Sequence, residues 1–505
     1  MEGSVQIIDF RLAQPAPIGE IHERPMAQTS TTQSGDDLDR IQALCAFERR
    51  HGLFEARVDG WSPWRVLRGV IQLAARRLPL GESSGSQGKR AMHALRSVVG
   101  LASVLVSPPR AKALVKTCRT ALRARQGDQF RDVYFDGLLN RGLPYLKLEE
   151  VNSPDFEVQA SLARHPASFD PIAFSFLGRI LGTVSPLGEA RAFCQRLSDL
   201  LRDDLDITLE PGILLRQLSS VYWQARVYGY LLRRVRPDVV LVSDTGEFGL
   251  ILAARRCGTR VIELQHGVFD ALHRHAIPVE YEAAADGLIL PDALACRGQF
   301  WVDQLASTVQ GALCVPVGNE MIDDARAERS RRDPQAPALI VVSSQGYDTE
   351  AVAEWISAMA DTGPDGLDWR IVIKMHPSYD ANTLSYDRFA SHPRVSVQSG
   401  SSEPSIFDLL ARADLHLSIS SACLFDAAAL GVRSGLLPFK THDSLLHAVD
   451  NRALTLLNRP HEAWDLLQRG ELEDEEAARF ARPGFLENMM GLIGDAGRDT
   501  DARAQ

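Results

Sequence analysis

A histidine placed directly before a glycine, in Gln265-His266-Gly267, closes an apolar run made by Val261, Ile262 and Leu264. An imidazole with an ordinary pKa of roughly 6.5 is suited to taking a proton from a hydroxyl near neutrality. The glycine lets backbone approach a ligand. Three further motifs share this layout of apolar run followed by polar turn. Ser343-Ser344-Gln345-Gly346 offers two hydroxyls, an amide and a glycine, a set that suits close approach to a phosphate or sugar. Lys374-Met375-His376-Pro377 adds a cation that neutralises phosphate and a histidine that donates to it, with a proline stiffening the exit. Ser418-Ile419-Ser420-Ser421 leads into Ala422-Cys423-Leu424-Phe425-Asp426, where the free N–H groups of a starting helix attract phosphate and Asp426 can accept from a ribose diol. Ser421 serves equally well as a simple helix cap. Each motif alone fits a satisfied turn; their number and common placement point to a binding site.

The elements that position them follow from the hydrophobic pattern. From Arg236 to Asp270 the chain reads as strand, loop, helix, strand, loop, with Val239 to Val242 the β-branched run of a strand buried on both faces. Glu247 to Arg256 have helical spacing, and Gly258 stands where a helix is usually capped. Ala113 to Cys118 is predicted as a first core strand and Tyr145 to Glu149 as a second. Leu214 to Arg234 is a long amphipathic helix. Further on, Gly287 to Pro291 reads as a strand, Ala295 to Leu305 as a helix and Leu313 to Gly318 as a strand. The stretch 326–337 is charged and then proline-rich, and after it the alternation of strands and helices restarts. Two such arrays imply an α/β chain of two Rossmann-like domains facing a cleft, with ligands beyond the carboxyl ends of the strands. The predicted divisions are a disordered N-terminus (1–37), a basic helical extension (38–110), an N-terminal Rossmann-like domain (111–328), a C-terminal one (336–460) and a helical tail (461–505).

Composition narrows the class. The seven cysteines are scattered without a C-x-x-C pair, which fits reduced core residues in a cytoplasmic protein. The N-terminal residues lack the layout of a signal peptide. The best apolar window, Val98 to Val106, falls short of the roughly 20 residues of a spanning helix. The net charge is −10, yet residues 61–126 carry thirteen Lys and Arg against one acid, Glu82. Within that stretch Trp64, Leu67, Ile71, Ala74, Ala75 and Leu78 share a helical face, with Arg65, Arg68 and Arg76 off it. An anionic membrane surface is therefore an expected partner, and packing on the next domain is the competing role. Aromatic residues do not interleave the basic ones, so nucleic acid is not an expected partner.

Taken together, ELQHG, the LPD at 290–292 followed by Trp301, VSSQG, KMHP and SISSACLFDAAALG resemble the GT-B bacterial surface and capsular polysaccharide glycosyltransferases, a group that also holds CDP-glycerol glycerophosphotransferases. The early LFEARVDGWSPWRVLR segment shares the likeness, which spans residues of about 40–460. The resemblance implies a nucleotide-activated sugar donor, used as substrate, held by Ser344, Gln345, Lys374, His376, Ser420, Ser421 and Asp426. It implies that His266 and Glu263 face a polysaccharide or lipid-linked glycan acceptor, with Gln265, Gly267, His273 and His275 lining that side. Where the family more often has Glu, this chain has Asp426. No cofactor or metal is expected, and the activity implied is inverting glycosyl transfer in the cytoplasm, peripheral on the inner membrane face. A UDP-sugar 2-epimerase and a non-catalytic sugar-nucleotide-binding relative are the alternatives.

Overall fold

The computed structural model describes residues 33–75, 87–117, 122–126, 129–149, 168–169, 171–243, 246–271, 273–333, 335–346, 348–376, 384–399 and 404–503, with the backbone alone at 33–39, 87–96, 122–126, 129–131, 168–169 and 495–503. In chain order, strand β1 (Ala113–Lys116) precedes an antiparallel hairpin of β2 (Leu122–Gln126) and β3 (Gln129–Asp132). Then come β4 (Tyr145–Leu148), β5 (Ser168–Phe169), β6 (Val239–Val242), β7 (Arg260–Leu264), β8 (Ala293–Cys296) and β9 (Cys314–Pro316). A second run holds β10 (Ala338–Ser343), β11 (Trp369–Lys374), β12 (Val395–Gln398), β13 (Leu415–Ser418), β14 (Arg433–Leu436) and β15 (Leu454–Leu456).

These strands build two parallel sheets, ordered β5-β4-β1-β6-β7-β8-β9 and β12-β11-β10-β13-β14-β15. Each starts at an inner strand, winds outward to one side, then crosses back and winds to the other, the doubly wound Rossmann-like order. The direction reverses between β1 and β6 in the first sheet and between β10 and β13 in the second. Both crevices open at the carboxyl ends of those strands. Burial explains the strand sequences: all four residues of β6 are covered on both faces, so its apolar side chains run continuously, whereas buried β13 alternates Leu415 and Leu417 with His416 and Ser418.

Several expectations change. The first helix starts at Gln33, inside the stretch 1–37 expected to be disordered, while residues 1–32 lie outside the described residues. The predicted strand at Gly287 to Pro291 is instead a buried coil after the 3-10 helix Val279–Gly287. Ile289 adopts φ +48, which a strand cannot contain, and the Asp292 carboxylate accepts the Val261 amide at 2.7 Å to turn the chain into β8. Ala295 therefore belongs to a strand, and the helix once expected from it is only Gln299–Gln304. The helix Pro63–Ala75 does not present its arginines to solvent. Arg65 and Arg68 are 2% and 3% exposed, so the membrane contact expected through them is overturned; Arg76 and Leu78 lie outside the described residues.

Beneath the crevices the two domains share one apolar cluster that includes Leu294, Trp301 and Ile322 with Leu409, Leu424 and Phe425. The tail then returns to the first sheet, where Phe485 and Met489 pack among Val239, Leu241 and Ile262. Burying each of those two side chains stabilises the return by about 1.5–3 kcal/mol. The crossing is tight: a Cβ on Gly298 would lie 2.2 Å from the Arg479 carbonyl oxygen, and one on Gly318, at φ +98, 2.1 Å from that of Arg482.

Candidate active site

The second domain gathers most of the polar residues singled out in its sequence. Ser344 and Gln345 follow β10, and Ser420 and Ser421 follow β13, so the two loops flank the point where the winding reverses. Gln345 joins them, its Oε1 accepting from the Ser420 amide at 2.8 Å and from the Ser420 hydroxyl at 3.3 Å. Ser420 Oγ shares a second hydrogen bond with Thr441 Oγ1 at 2.7 Å. Ser344 Oγ is paired with Tyr386 OH at 2.7 Å, and Gly346 takes φ +73, which favours glycine at this turn. Ser421 Oγ accepts from the Cys423 amide at 3.2 Å at the start of the helix Cys423–Ala429.

Lys374 sits at the end of β11, beside Ser343 in register, and is buried. Its ammonium donates to the Pro404 carbonyl at 3.0 Å. His376 follows, half-buried, and Pro377 lies outside the described residues.

Below these loops a neutral relay fixes the strands. Ser418 Oγ donates to the Ser343 carbonyl at 2.7 Å, Ser343 Oγ meets His416 Nε2 at 2.9 Å, and His416 Nδ1 meets Ser434 Oγ at 3.3 Å. Burial alone pushes the fully enclosed His416 down to about 3, so the ring is neutral.

On the first-domain side His266 leaves β7 half-buried, and its carbonyl accepts from Tyr134 OH at 2.7 Å. The neighbouring Gln265 is a structural brace. Its Nε2 donates to the Gly267 carbonyl at 2.8 Å, while its Oε1 accepts the Arg297 amide at 3.1 Å. The Tyr134 turn is built by Asp132, whose Oδ1 accepts the amides of Tyr134 and Phe135. Lys147 anchors that turn, reaching Asp136 at 2.7 Å, Asp132 at 3.0 Å and Glu149 at 3.8 Å. Its burial pulls the ammonium pKa down, but three carboxylates outweigh it and raise it; burial raises the Asp132 carboxyl.

The other residues assigned to the acceptor side lie deeper. Glu263 is buried on β7, and its charge opposes the burial that pushes the Arg65 guanidinium down to about 10. His275 is interior too, its Nδ1 meeting Arg65 NH1 at 3.2 Å and its ring edge-on to Phe248 at 5.7 Å. Loss of water, then the nearby Arg65, holds it well below the usual histidine range. His273 is half-buried and pushed down to about 3, first by burial and then by Arg274 and His266. Glu263 and His275 are thus both buried and both act on Arg65 of the N-terminal helix Pro63–Ala75.

The same packing holds the loop that follows His266. Arg68 NH1 donates to the carbonyls of Ala276 at 2.7 Å and Arg274 at 3.0 Å, and its Nε meets Glu48 at 2.5 Å. Trp64 Nε1 donates to the same Glu48 at 3.1 Å.

Across the two domains, Arg297 NH1 meets the Asp426 carboxylate at 2.5 Å, with both side chains under a tenth exposed. His447 and Asp270 add a second bridge at 3.4 Å. Arg297 was missed because its segment reads as the first turn of a helix beginning at Ala295. The available signal was Arg297-Gly298 directly after a strand, the same layout as His266-Gly267. Among the described residues, no group of three or more His, Cys, Asp and Glu side chains is placed to hold a metal ion. A cavity of about 250 Å³ lies at the opposite edge, beside Ala338, Asp414 and Trp464 at the amino ends of β10 and β13.

No protein-family model and no curated protein matches the chain. Among solved structures it is similar to the UDP-GlcNAc 2-epimerase of Methanocaldococcus jannaschii in complex with UDP-GlcNAc and UDP, at 13% identity and TM-score 0.42, covering 76% of this chain and 99% of that one. It is similar to the wall teichoic acid polymerase TagF, H548A, at 9% identity and TM-score 0.41, covering 83% and 99%. MurG of Acinetobacter baumannii gives 12% identity and TM-score 0.45, covering 76% and 99%. Likeness at this level carries no inference about activity.

Proposed function

We propose that this chain is a transferase that moves a glycosyl or related group from a nucleotide-activated donor to a surface polysaccharide or lipid-linked glycan precursor. It works at the cytoplasmic face of the inner membrane, with inversion and without a metal ion. The observation that carries the reading is the Arg297–Asp426 contact, which brings the strand-end loops of two Rossmann-like sheets against each other beside a winding reversal. The second domain takes the nucleotide. Asp426 accepts from the ribose, Lys374 exchanges the Pro404 carbonyl for a phosphate oxygen, and His376 donates to the same phosphate. The acceptor hydroxyl gives its proton to His266 as its oxygen attacks the anomeric carbon. The bond to the nucleotide phosphate breaks, and its electron pair leaves on phosphate oxygen beside Lys374 and His376.

Thermal-shift measurements with UDP, CDP, CMP and GDP sugars test the donor class, and a flat response to the whole panel ends the reading. His376→Ala is expected to weaken nucleotide binding by a charge-assisted hydrogen bond of about 1.5–3 kcal/mol. His266→Ala is expected to keep nucleotide affinity and lower turnover by roughly 10²–10⁴-fold. Loss of nucleotide binding in a folded His266→Ala protein would move His266 to the donor side. Conversion of a UDP-sugar without any acceptor would favour the epimerase instead.

A further inference from the structure

Seven of the twelve large hydrophobic side chains exposed among the described residues lie on three helices at one side of the first domain: Gln87–Val106, Ile172–Val184 and Pro211–Val235. Arg179 is the only charged residue of the middle helix, and Phe176, Ile180 and Val184 recur every four residues on its open face. That stripe is not an unfinished core, because the helix already has a buried side. Phe174 stacks on Tyr228 with rings 4.1 Å apart and 7° from parallel. Gly178 and Gly182 bring it against the long helix so closely that a Cβ on either would meet Ser220 backbone at 2.9 Å. Gln87–Val106 completes the layer: Ser97 Oγ accepts the Ala173 amide at 2.9 Å, and Arg234 NH2 donates to the Leu105 carbonyl at 2.9 Å.

The outer rim of this layer is basic and aromatic. Arg226 lies over the Tyr222 and Trp223 rings at 5.3 and 5.7 Å, Trp223 Nε1 donates to the Ser185 carbonyl at 2.8 Å, and Tyr230 is exposed. The three helix sequences contain eight Lys and Arg and no Asp or Glu, in a chain of net charge −10. Val184 is 72% exposed and Val106 81%, so these apolar groups stand fully in water when nothing covers them.

We propose that this three-helix layer is the face that rests on a bilayer containing anionic lipids. The stripe enters the interface, the aromatic rings with polar edges sit at headgroup level, and the arginines meet lipid phosphates. Charge selects this occupant. A second copy would bring the same cationic surface and repel it, and a nucleic acid has no use for an aliphatic stripe. The surface is distinct from the helix Pro63–Ala75, whose arginines are buried. The proposal deepens the peripheral location stated above, yet it is read without donor or acceptor. Nucleotide thermal shifts on the same protein report separately on the transferase reading.

Co-sedimentation of the full chain with vesicles of phosphatidylcholine, with and without phosphatidylglycerol, tests it. Binding is expected only with phosphatidylglycerol, weakening as salt rises. Ile180→Asp with Val184→Asp, and separately Arg226→Glu with Arg233→Glu, are each expected to weaken vesicle binding roughly tenfold or more while thermal unfolding stays unchanged. A wild-type protein that stays in the supernatant overturns the proposal, as do variants that bind like wild type. A dimer in light scattering that Ile180→Asp with Val184→Asp dissociates, without vesicle binding, makes the layer a self-interface and overturns it too.

Discussion

On the first-domain side, the loop after His266 hangs from buried ions: Arg68 satisfies the carbonyls of Arg274 and Ala276 while paired with Glu48, and the Lys147 cluster holds the turn that places Tyr134 on the His266 carbonyl. On the second-domain side, Ser344, Gln345 and Ser420 hang from an amide and hydroxyls, with a neutral histidine beneath. The two kinds of support differ in what it takes to break them. Removing one partner of a buried ion pair strands a charge away from water, whereas a hydrogen bond between neutral groups nets about 0.5–1.5 kcal/mol because water replaces much of it. The ionic side is thus locked in one arrangement by the N-terminal helices. The neutral side can trade a hydroxyl partner for a ligand oxygen at little cost, which suits loops that bind and release a nucleotide.

The largest expected effect follows on the ionic side. Arg68→Ala leaves Glu48 buried and charged and the Arg274 and Ala276 carbonyls short of a donor, and is expected to cost about 3–5 kcal/mol in chemical denaturation. Adding Glu48→Leu should restore a good part of that loss, since no charge then remains to be solvated. If Arg68→Ala costs no more than loss of a hydroxyl on the other side, the contrast between the two sides is wrong.

Next comes the Arg297–Asp426 contact, in which a charge reaches across. A double-mutant cycle on Arg297→Gln and Asp426→Asn is expected to give a coupling of about 1–3 kcal/mol, because both side chains are nearly enclosed. Additive effects would mean that each domain satisfies its own member of the pair.

How much of this was readable beforehand depends on the kind of signal. Buried parallel strands announce themselves through unbroken β-branched runs, so Val239 to Val242 and the strand before Lys374 were plain. Polar residues at strand ends were visible too, and Gln345 and Ser420 do meet. Arg65 and Arg68 were misread because helical periodicity assigns charge to the solvent side, and only three-dimensional packing supplies Glu48 and Glu263 as partners. Arg297 was hidden by a wrong boundary, itself caused by the apolar run at Leu288 to Leu290, which is buried without being a strand.

The neutral side carries its own pH signature. The His416 pKa is about 3 in the fold and roughly 6.5 when unfolded. Between those values the unfolded chain binds the extra proton, so the contribution is complete above pH 6.5 and is lost as pH falls toward 3. The expected slope is about 1.4 kcal/mol per pH unit below 6.5, and His416→Gln should reduce it by that amount in denaturation at successive pH values. An unchanged slope would place the acid sensitivity in His273 and His275, on the ionic side.

The smallest expected effect is the most informative about order within the relay. Ser434 Oγ donates to the Leu424 carbonyl at 3.1 Å, so toward His416 Nδ1, 3.3 Å away, it acts as acceptor. The ring proton therefore sits on Nδ1, and Nε2 accepts from the Ser343 hydroxyl at 2.9 Å. Ser434→Ala removes the acceptor for that proton and the donor for the first turn of the helix that carries Asp426. Stability should fall by only about 1 kcal/mol, as for other neutral hydrogen bonds. Nitrogen NMR of labelled histidine should then show His416 protonated on Nδ1 in the wild type and a mixture of tautomers in Ser434→Ala. A wild-type ring protonated on Nε2 would reverse the relay and make Ser343 its acceptor.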